Sequence, residues 1–181
     1  MTDSSKATLS ATIPSIVFAG AGDLAQRAIA DLQAVGDLTA ITAVARSVKT
    51  IAGAQFIQGC LLASSTIVAI TALKPKVIVV TLVPNGSGEV GYQQGYIEPL
   101  KALLASLKAA DESEQAPYII FASSTGVYNQ TDGSWVDEQS ETSPSNFSGQ
   151  CMLQAEQLLA QSGLPYCSAR FGGIYGPGRD F

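Results

Sequence analysis

Short apolar runs alternate along the chain with longer segments in which apolar positions recur at helical spacing. Ser15 to Ala19, Leu38 to Val44, Gln55 to Gln58, Lys76 to Leu82, Tyr118 to Ala122 and Tyr166 to Phe171 are rich in Val, Ile and Phe and predict strands. Most have no polar face, the mark of parallel strands covered on both sides. Between them, Leu24, Ala28, Leu32 and Val35 repeat at helical spacing, as do Tyr92, Tyr96, Leu100, Leu103 and Leu107, and then Phe147, Cys151, Ala155, Leu158 and Ser162. Gln150, Gln154, Gln157 and Gln161 make the last of these polar on its other side. Ser64 to Thr71 gives a weaker helix signal, because β-branched residues crowd it. Asp111 to Ala116 and Asn129 to Asn146 read as surface connections. This alternation predicts an α/β fold, a doubly wound parallel sheet with right-handed crossovers.

Composition bounds the function. With 181 residues, 46% of them hydrophobic and 14% charged, the chain suits one domain with a sizeable core. A formal net charge of −5 argues against a nucleic-acid or anionic-membrane partner, both of which need a basic surface. The longest apolar run, Val77 to Val83, falls far short of the roughly 20 residues that span a bilayer. Residues 1–14, rich in Ser and Thr, read as a flexible N-terminus before a domain at 15–181, and the protein as cytoplasmic. Cys60, Cys151 and Cys167 are scattered and read as buried thiols. No histidine is present, which removes the Ser-His-Asp triad and most transition-metal sites, and no metal site is expected.

The turn after the first strand carries the clearest chemistry. Gly20-Ala21-Gly22-Asp23-Leu24-Ala25 fits GxGxxA: Gly20 permits the turn, Gly22 lets the backbone approach a pyrophosphate, and Ala25 packs helix on strand. The helix N-terminus adds free N–H groups and a dipole suited to phosphate. An acidic residue at the end of the second strand would grip the ribose hydroxyls of NAD. None occurs from Leu38 to Gly88; the strand ends in Ala45-Arg46-Ser47, with Lys49 just beyond. A guanidinium beside a hydroxyl suits a 2′-phosphate, so NADP is expected over NAD. Thr81 and Ser123, at the ends of later strands, complete the expected cofactor contacts.

FAGAGDLA near the start, FASSTGVYNQTDGSWVDE in the middle, QAEQLL on the late helix and ARFGGIYGPGR at the end resemble, in that order, the NAD-dependent epimerase/dehydratase proteins of the extended short-chain dehydrogenase/reductase superfamily. The resemblance implies a Rossmann domain binding NAD(P), a small-molecule substrate and, as in relatives, a homodimer through the fourth and late helices. It also implies a domain truncated at its C-terminal end, since the family's substrate region would follow GGIYGPGRDF. Where the family has an acidic residue for adenine, Gly59-Cys60 stands here.

Active members carry a Tyr-x-x-x-Lys pair on the late helix, the lysine four residues before the glutamate of an Ala-Glu pair. Counted from Ala155-Glu156, those positions are Ser148 and Met152, and no Tyr or Lys occurs from Asn129 to Pro165. Tyr166 and Arg170 have the right spacing but, on a strand, lie roughly 13 Å apart at about 3.3 Å per residue. Tyr175 and Arg179 lie in a Gly-Pro-rich end where spacing implies nothing. Ser124 matches the family's serine, with two readings: a hydrogen bond to substrate or nicotinamide, or a cap on the strand end. Tyr128 is the nearest phenol and the one substitute acid. Trp135, beside Val136, Asp137 and Glu138, resembles the family's surface turn after the strand and reads as packing and solvated charge, not a metal site. Three functions follow: an atypical NADP-dependent oxidoreductase or epimerase acting on a sugar nucleotide or small carbonyl compound, an NADP(H)-binding module without turnover, or a fragment of a longer enzyme.

Overall fold

The computed structural model describes residues 15–36, 40–109 and 115–176. Six strands form one parallel sheet in the order β3-β2-β1-β4-β5-β6. They are β1 (Ile16–Ala19), β2 (Ile41–Ala45), β3 (Gln55–Gln58), β4 (Val77–Val80), β5 (Tyr118–Ser124) and β6 (Tyr166–Phe171). This is a doubly wound Rossmann sheet, and its strand order reverses beside β1, where such folds open a crevice at the carboxyl ends of the strands. Leu38 and Thr39 of the second predicted strand lie outside the described residues, and the ordered strand runs one residue further, to Ala45.

Successive β1 side chains point to opposite faces of the sheet, and both faces are covered. Ile16 and Phe18 pack with Ala25, Ile29 and Ile41, under the helix α1 (Asp23–Val35). Val17 and Ala19 join the other core, with Ile78, Leu100, Phe121 and Leu159. That core lies under α2 (Ser64–Ala72), α4 (Glu98–Lys108) and α5 (Phe147–Ala160). The weak signal at Ser64 to Thr71 is a helix in fact: Ile67 and Ile70 bury, and the Thr71 hydroxyl donates back to the Ile67 carbonyl at 3.1 Å.

One long helical segment begins with α3 (Gly88–Tyr92), passes through a π-helical turn at Gln93–Ile97 and continues as α4. The widened turn lies where the helix crosses the loop after β4. A methyl group at Gly95 would meet the Asn85 nitrogen at 2.6 Å and Pro84 Cα at 2.7 Å. No described helix is long and apolar enough to cross a membrane. Residues 1–14, most of the Asp111 to Ala116 connection, and Arg179 lie outside the described residues.

Two expectations need correcting. Of the three cysteines only Cys151 is buried; Cys60 is half-buried, and Cys167, on the last strand of the described sheet, is exposed. Burial pushes the Cys151 thiol up to about 11. Trp135 is 100% exposed and packs on nothing, since the 129–142 connection lies almost wholly at the surface.

Candidate functional site

A cleft of about 200 Å³ opens at the carboxyl ends of β1, β2 and β4, and the glycine turn forms its floor. Gly20 and Ala21 donate their N–H groups to the Val44 carbonyl at 3.1 and 2.9 Å, tying the turn to β2. The Thr81 hydroxyl donates to the Gly20 carbonyl and fastens it to β4. Gly20 has φ +110°, and a Cβ there would meet the Thr81 carbonyl oxygen at 2.5 Å. Gly22 differs: it caps α1 at φ −76°, and a Cβ there would meet nothing within 4 Å. No neighbour among the described residues demands a glycine at 22, which lines the cleft.

Arg46, Ser47 and Lys49 rim one side, and Gly59, Cys60, Leu61 and Leu62 form an apolar wall beyond β3. No acidic residue lines the cleft among the described residues. Lys49 is a contributor whose role the spacing did not show: its ammonium reaches back 28 positions and donates to the Ala21 carbonyl at 2.8 Å. Backbone N–H groups at the start of α1, two cations and no carboxylate among the described lining residues give the cleft a chemistry suited to a phosphorylated anion.

Of the expected cofactor residues, Gly20, Gly22, Arg46, Ser47 and Thr81 meet in this cleft. Asp23, Leu24 and Ala25 do not line it. Asp23 pairs with Arg27 at 3.1 Å on the first turns of α1, and Ala25 is buried against β1 as the GxGxxA spacing anticipates. Ser123 requires a correction. It is buried under α5, and its hydroxyl donates to Glu156 Oε1 at 2.6 Å, so it faces the core and not a cofactor.

The candidate catalytic residues lie apart from the cleft. Ser124 Oγ accepts from the Gly126 N–H at 3.0 Å and caps the short 3-10 turn Thr125–Val127, leaving its own proton to donate. Tyr128 donates its phenol proton to the Asp137 carbonyl at 2.7 Å and accepts from Arg170 Nη1 at 2.7 Å. Arg170 also forms a two-pronged pair with Glu156, at 2.8 and 3.1 Å, which holds its guanidinium pKa well above the ordinary value. Sequence spacing gave Tyr128 no cationic partner; the fold supplies one from a strand 42 positions away. Met152 is only 5% exposed and belongs to the core, while Ser148 donates to Asn146 Oδ1 at 2.7 Å beside the α5 cap.

No protein-family model matches the chain, and no curated protein does. Solved structures do. A protein from Methylobacillus flagellatus, provisionally described as an NAD-dependent epimerase/dehydratase, is 34% identical with a TM-score of 0.73, covering 93% of this chain and 57% of its own. The UDP-glucose 4-epimerase of Brucella ovis, solved with NAD, is 21% identical with a TM-score of 0.72, over 88% and 51%. The UDP-glucuronic acid 4-epimerase of Bacillus cereus, solved with NAD, is 17% identical with a TM-score of 0.74, over 90% and 57%. The chain thus spans a little over half the length of the proteins it matches.

Sheet order, glycine turn and crevice define a Rossmann domain of the dinucleotide-binding type. In fold and in sequence the chain is similar to the Methylobacillus flagellatus protein provisionally described as an NAD-dependent epimerase/dehydratase.

Proposed function

We propose that this chain binds NADP(H) in the cleft, and that binding, more than proton-transfer catalysis, is what its residues are built for. The observation that carries the reading is the open space over Gly22, facing a rim with Arg46 and Ser47 and no carboxylate. The pyrophosphate would lie on Gly20 and Gly22 at the α1 N-terminus, the 2′-phosphate on Arg46 and Ser47, and adenine along the Gly59 to Leu62 wall. Thr81 would keep the turn in place. When bound, the nicotinamide supplies hydride transfer. The family's proton-transfer positions are Ser148, a weak acid, and Met152, which carries no charge and fills the core.

Arg46→Ala tests the reading in titrations with both nucleotides. A lost charge-assisted contact to phosphate costs about tenfold or more in affinity for NADPH, with little change for NADH. Equal losses for the two would remove the 2′-phosphate assignment.

One observation favours a second reading, an NADP-dependent oxidoreductase or epimerase acting on a sugar nucleotide or small carbonyl compound. Tyr128 has a cationic neighbour, and Ser124 a proton to donate. Steady NADPH consumption over a panel of carbonyl compounds, lost in Tyr128→Phe, would support it; no turnover by the wild-type chain would count against it.

A further inference from the structure

An arginine at the end of a strand, exposed to water, ordinarily samples many rotamers, and holding it for a ligand costs entropy. Arg46 is exposed yet held. Its Nη1 donates to Asn85 Oδ1 across the mouth of the cleft, and its backbone carbonyl accepts from Gln58 Nε2 at 3.3 Å. Asn85 is itself anchored. Its N–H donates to the Gly91 carbonyl at 2.8 Å, and the π-helical turn presses against its loop at Gly95, where no side chain fits.

The chemistry of the partner decides what this contact does. An amide oxygen accepts a hydrogen bond without cancelling the charge of the donor, and the guanidinium keeps N–H groups for a second acceptor. A carboxylate in the same place would neutralise Arg46 and repel a phosphate. Lys49, tied to the glycine turn, favours any phosphate in the cleft and so does not separate one nucleotide from another. We propose that Asn85 is the positioning residue that holds Arg46 ready for a 2′-phosphate and so sets the preference of the cleft for NADP(H) over NAD(H). The inference rests on the NADP(H) reading of the cleft and adds the residue that makes it selective.

The experiment titrates NADPH and NADH into the wild-type chain, Asn85→Asp, Asn85→Ala, and Asn85→Asp combined with Arg46→Ala. Aspartate keeps the shape of asparagine, and a melting curve verifies that each variant is folded. Asn85→Asp is expected to weaken NADPH by about tenfold or more and NADH by less than about threefold. Asn85→Ala is expected to show a smaller loss of the same selectivity, and Asn85→Asp is expected to lose its selective effect once Arg46 is gone. Equal weakening of both nucleotides, or a selective loss that persists without Arg46, would overturn the role of Asn85 while leaving the cleft reading in place. A wild-type chain that binds neither nucleotide would overturn the cleft reading and this inference together.

Discussion

Gly20 and Gly22 stand two residues apart in one turn, and the structure gives them opposite reasons for being glycine. Gly20 is required by the protein itself, through its positive φ and the Thr81 carbonyl beside it. Gly20→Ala is therefore expected to lower stability by about 2 kcal/mol or more, read from a denaturant midpoint. Gly22 has an ordinary φ and open space. Aspartate is a good helix cap, so Gly22→Asp should keep stability within about 0.5 kcal/mol while removing phosphate affinity. Both glycines were legible in the sequence because a turn is local. The roles of Lys49 and Asn85 were not, since each meets its partner 28 or 39 positions away.

At the scale of elements, β5, α5 and β6 are joined by one polar network. Ser123 and Arg170 converge on Glu156 from neighbouring strands, and Arg170 passes the connection to Tyr128. The Arg170 and Glu156 side chains are only 20% and 9% exposed, so removing one leaves the other charge poorly solvated. Arg170→Ala is expected to cost about 3–5 kcal/mol of stability, and nucleotide affinity should not change, because none of these residues lines the cleft. A fall in affinity without a fall in stability would instead tie the network to the ligand. The helices and strands themselves were readable from periodicity, including all of β3 and β6. Ser123 was misread because alternation along β5 shows that it changes face from Ser124, but not that a glutamate on α5 waits beneath it. The π-helical turn had no periodic signature; its cause is the loop packed against Gly95.

Across the whole molecule, the fold followed from alternating strands and helices and the hand of their crossovers, which leave few ways to order six parallel strands. Charge separates along the same lines. The chain carries a net −5, yet its crevice at the switch point is rimmed by Arg46 and Lys49 with no acid among the described lining residues. A local field of that sign would favour an anionic ligand at the crevice. The most direct test is a fluorescence titration of the wild-type chain with NADPH and NADH, with Gly22→Asp as the control. Saturable binding of NADPH, tighter than NADH by about tenfold or more and absent in Gly22→Asp, is the expected result. Tighter binding of NADH, or no saturable binding of either nucleotide, would contradict it.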